Sequence, residues 1–286
     1  MMNLLTFDLE DWRPLADEWV SGVRSPPSGR LPAQVDTIRR ILDRYGVRAT
    51  FFCLGTAAAA HPALLRILVR DGHEIASHGY SHIPLHRLTP EEFEADLLRA
   101  QAVITEISGK EPRGFRAPQF SITKKTWWAL DILARHGFLY DSSVFPIHHR
   151  RYGVPAFGRA ICEVSTPHGT LLELPLATVS WLGFRFPVAG GGYARLLPAR
   201  FLRQAVARLK RENLAFTSYS HPYEFDSAPL TLSITPHGWK HGARCWLFTA
   251  LQNLGRSSMP HKLELLLATA SFGPCLNQLQ EFGVLP

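Results

Sequence analysis

What most constrains this chain is an alternation. Across its first two-thirds, short apolar runs alternate with stretches of helical periodicity, the mark of βα units laid side by side in a mostly parallel sheet. Residues 3–8 (NLLTFD) read as a strand. Val35, Ile38, Ile41 and Leu42 recur at helical spacing over 33–45, ending before Gly46. RATFFCLG (48–55) is the next strand, a helix runs on to about Arg70, and HEIASH (73–78) is a third strand. Thr89, Pro90, Glu91 and Glu92 spell a helix start, with a capping box and a proline at the first position. Its apolar face is Phe93, Leu97, Leu98, Ala102, Ile104 and Ile107. GFRAP, a helix over TKKTWWALDILARHG and the strand FLYDSSVF extend the series.

Beyond Pro146 the order loosens. HHRRYGVPAFGR reads as a loop, and ICEVSTPHGTLLELPL as a hairpin turning at His168-Gly169. GGGY (190–193) reads as a turn before a helix over 198–212, and FTSYSHPYEF as a strand. HKLELLLATA (261–270) is a short amphipathic helix with its apolar face on the barrel. In 286 residues, one α/β barrel of roughly 200–250 residues plus an appendage fits. The expected division is 1–226 as the main domain and 227–286 as a C-terminal extension packed on it.

Several function classes are disfavoured. No stretch approaches the ~20 apolar residues of a membrane helix. The start, MMNLLTFDLEDW, lacks the basic region of a secretory signal, so the expected location is the cytoplasm, at the inner membrane surface if it associates with a membrane. Cys53, Cys162, Cys245 and Cys275 lie far apart and read as buried thiols rather than bridges or zinc ligands. The net charge is +7, but the cations are scattered, with RLKRE at 208–212 the densest cluster. Without aromatic–basic interleaving, nucleic acid is not an expected partner.

Four polar clusters fall at predicted strand ends, where α/β folds gather catalysts: Asp8-Glu10-Asp11, His78 with His82, Arg116 with Pro118, and His221 in SHP. Each alone is weak; a lone histidine in an apolar strand is commonly a satisfied core residue. All four on one rim is a different matter. Two imidazoles four residues apart, with one carboxylate, make a metal set with open positions, and the ion would offset the repulsion among the acids. Arg116 could pair with an acid left outside that set and hold it ionised.

The stretches TFDLEDW, ATFFCLG, HEIASHGYSH, GFRAPQFS, YDSSVFP, PVAGGGYARLLP and SHPYEFD resemble the polysaccharide deacetylases of carbohydrate esterase family 4, the NodB-homology domain. Within that family the chain is similar to the exosortase-associated exopolysaccharide deacetylases, whose C-terminal extension HKLELLLATASF resembles. The resemblance implies a distorted (β/α)7-type barrel with a C-terminal helical extension. It implies an enzyme that removes N-acetyl groups from a polysaccharide or its lipid-linked precursor, using a divalent ion: zinc, or else cobalt, nickel or manganese. Peripheral membrane association goes with that precursor. Asp8 would be the general base, His78 and His82 metal ligands, Arg116 the residue that orients and tunes Asp8, and His221 the general acid.

One departure stands out. The commoner signature has two adjacent aspartates, whereas Leu9 follows Asp8 here, so the third ligand is either Glu10 or Asp11. Strand alternation puts Asp8 and Glu10 on one face; Asp11 would need a turn after Glu10. Tyr80, Pro118, Phe120, Leu174 and Tyr193 are the candidate glycan contacts, with Leu174 open to a core reading and 187–193 to a plain turn. A backbone N–H near Tyr80 or Phe120 is the candidate oxyanion donor. Asp141 reads as a rim hydrogen-bonder or a strand-end cap. The tryptophan that the family places near the general acid has only Trp12 and Trp181 as candidates. The rival readings are another amide hydrolase, allantoinase-like, and a non-catalytic glycan-binding relative.

Overall fold

The computed structural model describes residues 3–13, 16, 28–149, 151–181, 183–232 and 238–285. Strands β1 (Asn3–Leu4) and β2 (Thr6–Leu9) precede helix α1 (Leu31–Arg44), β3 (Thr50–Cys53), α2 (Gly55–Ala60), α3 (Pro62–Arg70) and β4 (Glu74–Ser77). Helix α4 (Pro90–Ser108), β5 (Gly114–Phe115), α5 (Trp128–Arg135) and β6 (Tyr140–Asp141) continue the βα rhythm. The second half holds β7 (Cys162–Thr166), β8 (Gly169–Glu173), β9 (Thr178–Trp181), β10 (Phe184–Pro187), α6 (Gly191–Leu196) and α7 (Ala199–Arg211). It closes with β11 (Phe216–Thr217), α8 (Trp239–Asn253), α9 (Met259–Thr269) and α10 (Cys275–Glu281).

The main sheet runs β2-β3-β4-β5-β6-β8-β7, parallel except where β7 and β8 form a hairpin. Its open edges are joined by the chain around β11. Asp8 N donates to Ser220 O on one side, and Ala177 N donates to Thr217 O on the other. β2 through β6, β8 and the 216–220 segment thereby form the staves of a distorted α/β barrel. Phe7, Phe51, Val35, Ile38, Leu65 and Phe216 share its largest apolar cluster, which also takes in Met259, Leu263 and Leu267 of α9. The expectation that α9 lies on the barrel holds. Lys262 of the same helix is buried, its Nζ donating to Ala194 O and Arg195 O at 2.8 and 2.7 Å.

Local chemistry explains where expectation and structure part. The capping box forms as read: Thr89 Oγ1 accepts from Glu92 N while Thr89 N donates to the Glu92 carboxylate. On that helix, however, Leu98 is 41% exposed and Ala102 faces solvent, while Ala100 is buried in their place. The helix after β3 is two helices, divided at His61, because Pro62 has no N–H to continue the ladder and opens α3 instead. The helix expected from Thr123 begins only at Trp128. Thr166 pairs with Gly169, so the hairpin turns at Pro167-His168, one residue earlier than expected. GGGY opens helix α6 rather than a turn, and FTSYSHPYEF is a strand only at Phe216–Thr217, coiling into a 3₁₀ turn at Pro222–Phe225. The loop reading over 148–159 stands, apart from Arg150, which lies outside the described residues. The β9–β10 hairpin, α8 and α10 carry no signal that the sequence reading used. The cysteines are free; Cys53, Cys245 and Cys275 are buried and Cys162 is half-buried.

Candidate active site

Along β2, Phe7 and Leu9 enter the apolar core, while Thr6 and Asp8 point the other way, with Glu10 just past the strand end on their side. Asp8 meets the fully buried Arg116, which leaves the tip of β5. Arg116 Nη1 donates to Asp8 Oδ1 and to Thr6 Oγ1, both at 2.7 Å. Its Nε and Nη2 donate to Ser142 O and Oγ at 2.9 Å. The guanidinium lies 4.1 Å over the Phe52 ring. Every edge of the cation is held, and Asp8 Oδ2 is left to face the cleft.

His78 follows β4. Its Nδ1 sits 2.7 Å from Arg116 O, which can only accept, so the proton is on Nδ1 and Nε2 presents a lone pair. Burial holds this imidazole below its ordinary range against the pull of Asp8 and Glu10. A histidine whose second nitrogen is fixed by a carbonyl is the usual form of a metal ligand. His82 adopts a left-handed backbone (φ 56°) that few non-glycine residues take, and its Nε2 comes to 2.8 Å from Glu10 Oε2. His78 Nε2 lies 3.9 Å from the same oxygen. Burial opposes ionisation of Glu10, but His82, His78 and His221 outweigh it and hold the carboxyl at about 2.

Donor atoms of Glu10, His78 and His82 all lie within 4.8 Å of one another. Glu10 is buried, and its Oε2 faces both imidazoles, nearer to His82 than to His78. One buried carboxylate and two imidazoles within reach of a single point make a donor set that suits a divalent ion. Asp11, the other candidate ligand, is not in the group. Its carboxylate accepts from Arg13 N, Ser28 N and Ser28 Oγ at 3.0, 2.9 and 2.5 Å, which turns it away from the histidines.

Opposite stands His221, its Nε2 3.8 Å from Asp8 Oδ2 and 3.5 Å from Glu10 Oε1. On its other side Glu224 Oε1 lies 3.8 Å from Nδ1, and Glu224 is in turn 3.3 Å from Arg195 Nε. Burial disfavours a charge on His221, but Glu224, Glu10 and Asp8 prevail and raise it to about 9. The segment is pinned by a close backbone approach: a Cβ on Gly190 would sit 1.5 Å from Tyr219 O. That contact is why the first glycine of GGGY is needed.

Asp8, Glu10, His78, His82 and His221 line one cleft of about 380 Å³. Of the candidate glycan contacts, Phe120 and Tyr193 line it. Tyr80, Pro118 and Leu174 do not. Tyr80 lies under Arg99 (3.8 Å) and against Gly55; Pro118 is buried in its own 3₁₀ turn; Leu174 is fully buried in the core with Phe52 and Tyr140. The proposed oxyanion donors are already engaged, since Tyr80 N donates to Asp96 and Phe120 N to Ala117 O. Asp141 sits behind the site, accepting from Ser143 N and Oγ and raised by burial. Among the described residues neither tryptophan stacks on His221: Trp12 stacks on Phe248, and Trp181 is 58% exposed. Tyr223 stacks on His221 instead, 5.3 Å between ring centres. Sequence reasoning missed Glu224, Arg195, Tyr219, Tyr223 and the Leu251–Leu254 wall. For Glu224 a signal existed, since the His-Pro-Tyr-Glu spacing is that of a capping pair, with His221 N donating to Glu224 Oε2.

Fold and site together define a class, an α/β barrel with a hydrolase-like centre able to hold a divalent ion. Comparison with known proteins narrows this. Residues 5–139 match the family model described as polysaccharide deacetylase, and the chain carries a domain of that family, carbohydrate esterase family 4. Residues 142–280 match a second model, a domain of unknown function (DUF3473). The chain is 36% identical over 112 residues to a peptidoglycan deacetylase-like protein of Gibberella zeae, covering 38% of this chain and 32% of the relative. It is 36% identical over 120 residues to a chitooligosaccharide deacetylase of Bradyrhizobium sp., covering 40% and 52%. The chain thus spans between about a third and a half of these relatives' length. Among solved structures, one from Mycobacterium smegmatis assigned to the polysaccharide deacetylases superposes with a TM-score of 0.66 at 23% identity, covering 98% of this chain and 89% of that one. An allantoinase superposes at 0.61 with 16% identity, covering 99% and 90%. A family 4 acetyl xylan esterase from Clostridium thermocellum in complex with a cobalt ion superposes at 0.52 with 16% identity, covering 99% and 92%. At these identities the structures speak for the fold.

Proposed function

We propose that this chain hydrolyses N-acetyl groups of N-acetylhexosamine residues in a polysaccharide or its lipid-linked precursor, in the exosortase-associated exopolysaccharide subgroup. The observation that carries the reading is the buried Glu10 carboxylate set between the imidazoles of His78 and His82, beside an aspartate that Arg116 holds by one oxygen only. Glu10, His78 and His82 would hold the ion, with zinc the first expectation and cobalt, nickel or manganese the others. When bound, it supplies a Lewis acid for the acetyl carbonyl and acidifies water from about 15.7 towards ~7.

The chain's own groups do the rest. Asp8 accepts the proton of the attacking water at Oδ2, because Oδ1 is fixed by Arg116. His221, protonated at neutral pH, hands its Nε2 proton to the departing amine, a poor leaving group without it. Glu224 holds the other face of that ring, and Phe120, Tyr193 and Tyr223 offer apolar walls to a sugar. Acetate release from N-acetylglucosamine oligomers by metal-loaded protein tests the reading; metal uptake without acetate release overturns it. The shared fold with an allantoinase favours a second reading, hydrolysis of another amide, which the same assay separates by substrate.

Among the described residues no helix is long and apolar enough to cross a membrane. Helix α8 supports a peripheral location, on the cytoplasmic side if the chain works where it is made. Trp239, Ala243, Trp246, Leu247, Ala250, Leu251 and Leu254 recur at helical spacing, and all face solvent, with Trp239 and Trp246 79% and 72% exposed. Lys240 and Arg244 flank this stripe, a pattern suited to an anionic lipid surface. Leu251 and Leu254 also line the catalytic cleft, so a lipid-linked glycan would reach it from that surface. Here residues 227–286 are read as the extension that carries this contact. Co-sedimentation with phosphatidylglycerol vesicles is expected to fall about tenfold in a Trp246→Glu, Leu247→Glu variant. Equal sedimentation of the two proteins refutes the lipid contact.

A further inference from the structure

A second hollow adjoins the catalytic cleft. It encloses about 590 Å³, in the range of small-ligand sites. Gln119, His149, Arg151 and Tyr152 line both hollows, so one extended ligand can occupy the two together. Its lining is of one sign. Arg87, Lys124, Lys125 and Arg151 contribute its cations, His86 and His149 also line it, and among the described residues that line it none is acidic. Lys124 and Lys125 are exposed and make no ion pair within the described residues. The chain carries 31 Lys and Arg against 24 Asp and Glu, so a surplus exists, but nothing in that surplus requires it to gather beside the active site.

The wall between cleft and hollow is unusual. Gln119 and Phe120 have φ of 57° and 53°, left-handed values rare outside glycine. Such conformations persist where surrounding structure over-determines them, and they concentrate at ligand clamps. Here Phe120 is locked edge-on against Phe145, Tyr152 and Tyr219. On the far side Tyr152 stacks against His149 with ring centres 3.7 Å apart. A rigid aromatic partition therefore separates the carboxylate-rich reaction centre from the cationic hollow.

Resting on the deacetylase reading, we infer that this hollow is a subsite for an anionic sugar, one whose carboxylate or phosphate ester is carried next to the N-acetylated unit being hydrolysed. Lysine ammonium groups and arginine guanidinia at this site recognise either oxyanion, the guanidinium in bidentate fashion. The hollow would set the register of the polymer: it accepts the charged unit and thereby delivers the neighbouring acetamido group to His221 and Asp8.

The test uses matched oligomers of N-acetylglucosamine: neutral, with one neighbouring glucuronate, and with one neighbouring sugar phosphate. The readout is the ratio of kcat/KM for each charged oligomer to that for the neutral one. Wild-type protein is expected to favour at least one charged oligomer by about tenfold, with the advantage shrinking as salt rises. Which oligomer is favoured identifies the oxyanion. In a Lys124→Glu, Lys125→Glu variant, melting like the wild type, the ratio is expected to fall below one. A wild-type ratio near one for both charged oligomers overturns the inference, and so does a ratio that the variant leaves unchanged. Should no oligomer release acetate, the deacetylase reading fails. The subsite is then judged by equilibrium binding of the same oligomers: selective retention of a charged one that the variant abolishes upholds it, and equal retention of all three overturns it.

Discussion

The two sides of the catalytic cleft are built on opposite principles. On the side made by β2 to β6, Arg116 satisfies its donors on Asp8, Thr6 and Ser142 and lies over Phe52. On the side made by the 219–224 segment, His221 Nδ1, Glu224 Oε1 and Arg195 Nε are buried and, among the described residues, meet one another only at 3.3 and 3.8 Å without a formed hydrogen bond. Buried polar groups are normally paired, and leaving one unpaired costs roughly 1–3 kcal/mol. The first side is a scaffold whose geometry is over-determined. The second holds its groups at ion-pair distances of 3.3 to 3.8 Å, close enough to bias a proton and loose enough to release it.

That contrast can be broken most sharply at the two histidines. His78→Ala is expected to abolish both metal content and acetate release, whereas His221→Ala keeps the metal and loses about 10²–10⁴-fold in turnover. Metal analysis and acetate assays on both variants check this, and full activity in either removes its assignment. Next comes the scaffold. Arg116→Ala leaves Asp8 buried without its cation and is expected to cost about 3–5 kcal/mol of stability, read from denaturant unfolding. A loss below about 1 kcal/mol would mean that the scaffold is not over-determined.

A smaller effect is expected at Glu224. Its charge raises His221, so in Glu224→Gln the imidazolium loses its proton at lower pH. The alkaline limb of kcat/KM should move down while metal content stays unchanged. The smallest effect concerns stability alone. His73, on the scaffold side, accepts from Ala49 N at 3.3 Å, and burial first, then Arg48, lower it to about 4. Its folded value lies below its unfolded one, so the unfolded chain binds the extra proton. Stability is therefore complete above about 6.5 and drains away as pH falls towards about 4. His73→Phe should flatten that part of the unfolding profile.

Much of the scaffold was legible because its signals are local. The capping box at Thr89, the β2 alternation that puts Asp8 and Glu10 on one side, and the histidine spacing of four each span only a few consecutive residues. Leu174 and Tyr80 misled for the opposite reason. Tyr80 stands between the cleft residues His78 and His82 in sequence, but Arg99 covers it, and at the end of β8 Leu174 turns into the core. The second half gave weaker signals. Its strands are short, and α8 has its apolar stripe facing outward, so periodicity could not say what the helix packs against.

Read alone, the chain determined an α/β barrel and named five of the groups that meet on its rim, because hydrophobic period and strand-end chemistry are written over a few residues. It left Glu10 and Asp11 equal. Only the tertiary structure separated them, since the choice depends on Ser28, seventeen residues away, which takes the Asp11 carboxylate and leaves Glu10 to the histidines. The same holds for the cationic hollow and for the Arg195–Glu224 support of His221. Segments distant in sequence create them, and no local pattern records which distant segments will meet.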